Sequence, residues 1–365
     1  MSRAALDKAI QALCEQALLK PGERSLLKEH IQPRLRTVAQ LRWELEKRQW
    51  LTPFQLKYLK RGRIAHLRFG PYVLRETLGR GGMGVVFKAR HVEDQRPAAI
   101  KILRKDRLTE PMALKRFQQE IRISAKLRHP NIVRAREAGY RQQRLYLVME
   151  YVRGLDLTQI VERRGRLTPP QACECLRQAA LALQHAHAQG LVHRDVKPSN
   201  FILTATRRGQ VLKLLDLGLA RCLAPRPLEE SRITENGVLL GSVDFLSPEQ
   251  AKNARDVDVR SDLYSLGCTF YYLLTGRPVF PGGTFMDKVM RHSLEAPPTV
   301  PYLCAPLQHV LAQLLAKRPE DRFASSEELL NELVPLMKHP DQLTRERHPA
   351  YLALTEHQMC LGAIG

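Results

Sequence analysis

The stretch from Thr77 to Arg90, TLGRGGMGVVFKAR, limits what this chain can fold into more than any other part of it. Gly79, Gly81 and Gly84 stand at the G-x-G-x-x-G spacing, and without Cβ atoms they let a backbone approach a polyphosphate closely. Dinucleotide-binding turns use the same spacing, but there the glycines open a helix. Here they run into Val85, Val86, Phe87, Lys88 and Ala89, a β-branched and aromatic run that reads as a second strand. The prediction is a strand, a glycine loop and a strand. Which phosphate the loop would serve has to come from the rest of the chain.

The apolar periodicity changes twice along the sequence. Residues 1–68 read as helical, with apolar positions three and four apart, and LTPFQLKYLKRGR offers Thr52 as an N-cap and Pro53 as the first helical residue. The sequence FGPYVL at 69–74 breaks that period and sets a boundary. From Tyr72 to Leu103 the pattern is strand-like, with the turn residues HVEDQRP between two apolar runs, as in an antiparallel meander. A helical stretch follows around Phe117 to Leu127. After Gly154 helices dominate, beginning with one that Thr168 and Pro169 start and Gly190 can stop. The class is α+β: a small β-rich lobe with one main helix, then a larger helical lobe.

A net charge of +21 would suit a nucleic-acid partner. The charge is spread, however: basic residues outnumber acidic ones by about 15 to 6 over residues 1–70, and the excess continues more thinly beyond. No zinc-finger spacing or stacked-aromatic pattern accompanies it, so a basic solvated surface is preferred and a nucleic-acid partner is disfavoured. Seven cysteines, an odd number with no C-x-x-C pair, read as reduced structural thiols. No window reaches the roughly 18 uninterrupted apolar residues of a membrane span. The first residues are amphipathic and carry acids, unlike a signal peptide. The expectation is a cytoplasmic protein with no membrane span.

The run AAIKIL sets Lys101 in the middle of a strand. A buried ammonium is costly without an anion, and phosphate oxygens and Glu120, on the helical RFQQEIRISAKL, are the natural candidates. A lysine snorkelling at a strand edge is the plainer alternative. The stretch LVHRDVKPSN then crowds His193, Arg194, Asp195, Lys197 and Asn200 into a loop that Pro198 keeps from being a regular helix. In KLLDLGLAR an apolar strand ends in Asp216, before a Leu217-Gly218 turn. The carboxylate of Asp216 and the amide oxygen of Asn200 are the hard oxygen ligands that Mg²⁺ prefers.

In their order and spacing these motifs closely resemble the protein kinase family, in its eukaryotic-like (Hanks-type) serine/threonine branch as found in bacteria. The resemblance implies the two-lobed protein kinase fold over residues 72–336; outside it lie the helical N-terminal extension over 1–68 and a tail over 337–365, expected to be partly ordered from its two prolines and mixed charge. It implies an enzyme that uses ATP and Mg²⁺ to phosphorylate serine and threonine hydroxyls of protein substrates, and of itself. On that resemblance Gly79, Gly81 and Gly84 cover the ATP phosphates, and Leu78, Val86, Ala99 and Ile202 sandwich the adenine. Met149 is the gatekeeper, and the backbone of Glu150 and Val152 bonds the base. Lys101, held by Glu120, grips the α and β phosphates. Asp195 accepts the proton of the substrate hydroxyl, Lys197 stabilises the transferred phosphoryl, and Asn200 and Asp216 hold Mg²⁺. Glu249 pairs with Arg322, and Asp262 anchors the backbone of the Asp195 loop. The departures are Asp-Leu-Gly for Asp-Phe-Gly, AAIK for VAIK, and Ser247 for the alanine of Ala-Pro-Glu. All keep the side chains the chemistry needs.

Arg194 directly before Asp195 is an arrangement that in this family goes with activation by phosphorylation. Thr234 matches a place where bacterial relatives carry an activating threonine, and a loop already neutralised by Glu230 or Glu235 is the alternative. RQWLTPFQLKYLKRGR resembles a leader on kinases of planctomycete-type bacteria. Two readings of residues 1–68 stay open: a helical cap on the small lobe, packed through an apolar face with Trp43, Leu45 or Trp50, and a docking arm for a partner or substrate. Two rival functions also remain. One is a scaffold that binds ATP without turnover, against which the intact Lys101, Glu120, Asp195, Asn200 and Asp216 argue. The other is a nucleic-acid-binding regulator, which a steep loss of affinity with salt would reveal.

Overall fold

The computed structural model describes residues 3–81, 84–104, 126–141, 144–207, 209–215, 243–252 and 257–344. Glu120, Asp216, Thr234 and most of the helix expected from Phe117 lie outside them. The chain divides into two compact units, one of residues 1–109 with 135–151, the other of residues 110–134 with 152–365.

The first unit opens with helices α1 (Arg3–Glu15), α2 (Pro21–Leu26), α3 (Val38–Lys47) and α4 (Pro53–Lys60). Thr37 and Thr52 cap α3 and α4, each accepting from the backbone N–H of a glutamine three residues on, Gln40 or Gln55. Each glutamine returns a bond to the cap's own N–H. Leu6, Ile10 and Leu13 of α1, Leu41 and Leu45 of α3, and Leu56 and Leu59 of α4 recur at helical spacing and close one apolar core. Each such leucine contributes roughly 1.5–3 kcal/mol on burial. Trp50 packs against this core, but Trp43 does not: it is 56% exposed, with the Lys47 ammonium 4.6 Å from its ring centroid. The inward stripe of α3 runs from Leu41 to Leu45, and a residue two positions along a helix points elsewhere.

The helices lead into a six-stranded antiparallel sheet of order β1-β2-β3-β4-β6-β5. Its strands are β1 (Arg68–Phe69), β2 (Tyr72–Gly81), β3 (Gly84–His91), β4 (Pro97–Leu103), β5 (Ala135–Arg141) and β6 (Arg144–Glu150). The two-residue β1 leaves most of the β2 edge uncovered, and an open edge needs partners. The extension supplies them. Gln55 Nε2 donates to Leu74 O at 2.8 Å, and Thr52 Oγ1 donates to Arg75 O. Val73 joins the core of the helices, and Phe54 packs on the apolar sheet face beside Phe87, their ring centroids 6.0 Å apart. This is the packing of a cap.

The second unit holds a three-stranded sheet, β7 (Leu155–Asp156), β8 (Phe201–Thr206) and β9 (Gly209–Leu214). Its helices are α5 (Leu157–Arg164), α6 (Pro169–His187), α7 (Pro248–Lys252), α8 (Val259–Thr275), α9 (Phe285–Leu294), α10 (Ala305–Leu314) and α11 (Ser326–Met337). Helix α6 starts at Pro169 and the chain turns at Gly190, φ +72°, as the sequence suggests. Helix α8 is buried along nearly its whole length, including the polar Ser261 and Asp262. Buried polar groups must find partners. Asn131 Nδ2 donates to Gln178 Oε1 at 2.7 Å and to Leu212 O at 2.8 Å, which ties β9 to α6.

Candidate active site

In the first unit the strand register decides which residues share a face. Gly79 lies opposite Val86, Val86 opposite Lys101, and Ala99 opposite Met149. Directly opposed residues point the same way, as do residues two apart on one strand. Val86, Ala99, Lys101 and Met149 therefore share one face of the sheet, while Ile100, Ile102 and Val148 fill the other with Phe69 and Tyr72. Lys101 is 7% exposed, so the chain has carried an ammonium into a nearly buried position on this face. The three glycines are not equivalent. A Cβ on Gly84 would lie 2.2 Å from Ile102 O, so the approach of β3 to β4 requires glycine there. At Gly79 and Gly81 a Cβ would meet nothing within 4 Å among the described residues, so packing there does not demand glycine. Leu78 beside them is 45% exposed.

In the second unit the loop from His193 to Asn200 is built around one buried carboxylate. Asp262, fully buried on α8, accepts from the backbone N–H of His193 (Oδ2, 2.7 Å) and of Arg194 (Oδ1, 2.7 Å), and His187 Nε2 lies 2.9 Å from Oδ2. Arg194 has φ +64°, a left-handed backbone that costs a non-glycine residue about 1–3 kcal/mol. The two bonds to Asp262 and one from Gln250 Nε2 to Arg194 O (2.8 Å) hold it there. His193 Nδ1 accepts from Asp195 N at 3.2 Å, which assigns the ring proton to Nε2, donated to Leu215 O at 2.8 Å.

This support presents the polar groups. Lys197 Nζ is 2.9 Å from Asp195 Oδ2, and Asn200 Nδ2 donates to Asp195 O (2.7 Å) and Oδ2 (3.1 Å). The oxygens left over are Asp195 Oδ1 and Asn200 Oδ1, neither of them bonded among the described residues. A proton acceptor beside a cation and a hard amide oxygen is a set suited to moving a hydroxyl proton near a phosphate and a divalent metal. Asn200 offers the oxygen that an Mg²⁺ ligand needs. Val152 and Ile202 are partly buried in this unit.

Glu249 and Arg322 form a two-pronged pair, with Nη1 to Oε1 at 2.7 Å and Nη2 to Oε2 at 2.9 Å. Burial alone would push the Glu249 carboxyl up, but the bonds and charge of Arg322 outweigh it and hold it below the usual range. Arg322 also donates to Ala316 O and Arg260 O. The sequence reading missed His187 and Gln250, which hold the loop from α6 and α7. His187 carries a local signal, as a histidine in the last turn of a helix six residues before His193. Gln250 carries none.

Comparison with known proteins agrees with the motif order. The protein kinase domain family matches residues 72–334. The serine/threonine-protein kinase PknB of Mycobacterium tuberculosis is 39% identical over 271 residues, covering 72% of this chain and 42% of that protein. PknH of Mycobacterium bovis is 34% identical over 278 residues, covering 75% and 45%. The crystal structure of the M. tuberculosis PknI kinase domain superposes with a TM-score of 0.57 at 29% identity, covering 75% of this chain and 96% of that one. The chain thus spans less than half the length of these curated relatives.

Proposed function

Because the chain belongs to the protein kinase family, we propose that it is a serine/threonine kinase that transfers the γ-phosphoryl of ATP to hydroxyls of protein substrates and to itself. The observation that carries the reading is the loop in which Asp262 holds the backbone of His193 and Arg194 while Asp195, Lys197 and Asn200 are presented together. Asp195 orients the substrate hydroxyl and takes its proton at the carboxylate. Lys197 offsets negative charge on the transferred phosphoryl. Lys101, with Glu120, positions the α and β phosphates. Gly79, Gly81 and Gly84 cover them, and Leu78, Val86, Ala99, Met149, Ile202 and the backbone of Glu150 and Val152 receive the adenine. Asn200 and Asp216 are the residues for Mg²⁺, which when bound neutralises phosphate charge. Positioning and charge compensation do most of the work, since the transferred group has a loose transition state.

Two finer points belong to the same proposal. Phosphorylation of Thr234 would supply the anion for Arg194, whose Nε is buried with no partner among the described residues. Among the described residues no helix is long and apolar enough to cross a membrane, and we place the kinase in the cytoplasm. The test is transfer of radiolabel from ATP to a generic basic protein by the purified chain. Transfer needs Mg²⁺ and disappears in Asp195→Asn, while nucleotide affinity stays within about threefold, since Asp195 is assigned to the hydroxyl and not the base. Undiminished transfer by Asp195→Asn refutes the assignment.

A further inference from the structure

Around the end of the β2–β3 hairpin remote from the glycine turn lie five arginines from five segments: Arg24 of α2 and Arg141 at the end of β5 within electrostatic reach of Arg68 of β1, and Arg24, Arg68 and Arg75 of β2 within reach of Arg90 of β3. Three of them grip a single turn of the extension. Arg68 Nη1 donates to Gln16 O (3.4 Å), Arg90 Nη2 to Ala17 O and Leu18 O (both 3.1 Å), and Arg24 Nε to Leu19 O (3.1 Å). Arg68 Nε also donates to Gly70 O, and Arg141 lies over the same glycine, its Nη1 2.8 Å from where a Cβ would stand.

What is missing is negative charge. None of the five makes an ion pair among the described residues. Among the charges that act most strongly on Arg90, Glu23 is the one carboxylate against three arginines, and it also accepts from the backbone N–H of Lys20 at 2.8 Å. Arg90 is only 6% exposed and its Nη1 donates to Gln95 Oε1, but its Nε is buried with no partner among the described residues. Burial pushes the Arg68 and Arg90 guanidiniums down from their ordinary value. Arg24 and Arg141 push Arg68 further, and Arg75, Arg24 and Arg68 do the same to Arg90.

A purely structural clamp accounts for only part of this. Capping the carbonyls of residues 16–19 explains Arg24, Arg68 and Arg90, but glutamine or asparagine would cap them without repulsion. It leaves Arg75 and Arg141, which touch no carbonyl there, unexplained. Guanidiniums present planar forks of about five donors that match a tetrahedral oxyanion better than any other side chain does. We propose that this cluster is a binding site for a doubly charged phosphoryl group, seated where the helical extension meets the sheet. The excess of guanidinium over carboxylate calls for a dianion, which a single carboxylate ligand does not supply.

The experiment follows the thermal midpoint of the full chain, and the heat of binding, with inorganic phosphate at constant ionic strength. A phosphoserine peptide and its unphosphorylated form are run beside it. Arg141→Gln is the main variant, because Arg141 is exposed and bonds no carbonyl of the turn; Arg75→Gln is the second. Lys101→Met controls for phosphate bound at the nucleotide site. Phosphate raises the midpoint of the parent chain and of Lys101→Met, and both arginine variants bind it at least about tenfold more weakly. Without phosphate, Arg141→Gln melts no lower than the parent, since a like charge has been removed. Tighter binding of the phosphoserine peptide than of phosphate identifies a phosphorylated chain as the source; equal binding identifies the free ion. No response in the parent chain, or an equal response in parent and both arginine variants, overturns the proposal.

Discussion

Replacing Asp262 by asparagine tests the central mechanical claim, that one buried carboxylate holds the loop carrying Asp195. Asp262 is fully buried and accepts two backbone N–H bonds at 2.7 Å, with His187 at 2.9 Å. A hydrogen bond to a charged group is worth about 1.5–3 kcal/mol, and a neutral one roughly half that. Asparagine keeps the shape but offers one carbonyl oxygen, so one N–H faces an amide NH₂ and the other bond loses its charge. The summed loss is about 3 kcal/mol, and it falls on Arg194, whose left-handed φ of +64° has little other support. If that loss appears in the transition state, the turnover rate falls roughly 100-fold at 1.36 kcal/mol per decade. Steady-state transfer with varied ATP, together with thermal unfolding, provides the assay. The expected pattern is a large drop in kcat, a KM for ATP within a few-fold of the parent and a modest loss of Tm. A kcat within twofold of the parent, in a folded variant, would refute the reasoning, because the loop would then keep its geometry without Asp262.

Removing residues 1–60 uncovers the β2 edge at Leu74 and Arg75 and strips the turn from Arg90, so the remaining domain should melt roughly 5–10 °C lower; an unchanged Tm would remove the cap. Burial, reinforced by Lys317, Lys288 and Arg291, pushes His292 down to about 4. Below about pH 6.5 the unfolded chain takes up a proton that the folded chain refuses, so stability is full above that pH and falls by about 3 kcal/mol toward pH 4. Urea midpoints at pH 7.5 and 5 will show a slope that His292→Gln flattens. Arg322→Lys keeps the charge but loses the fork on Glu249, and should cost about 2–4 kcal/mol by denaturant unfolding. Thr234→Ala should leave the phosphatase-treated rate unchanged while abolishing the gain on self-phosphorylation, followed by peptide mass mapping and initial rates; full activity in unphosphorylated enzyme would reject the switch.

The sequence by itself determined what depends on neighbours a few residues away. The cap of α4 at Thr52 with Pro53, the start of α6 at Thr168 and the strand after the glycines were legible because caps, proline and β-branched runs act within one turn or one strand. The grouping of Asp195, Lys197 and Asn200 was legible for the same reason, being six residues of one loop. Only the tertiary structure decided which distant groups serve them. Asp262, which reaches the loop from 68 and 69 residues away, was expected through the family resemblance alone, and Gln250, 56 residues away, was not expected at all; neither spacing follows from any periodicity. Trp43 shows the same limit from the other side: an aromatic residue in an amphipathic helix reads as core until the direction of the stripe is known, and that direction is set by what the helix packs against. The arginines beside Gly70 read along the chain as scattered surface charge. The pairing of β1, β2, β3 and β5 in one sheet, with the turn of residues 16–19 laid on its end, brings them together, because strand order and register are set by long-range pairing that local sequence does not encode.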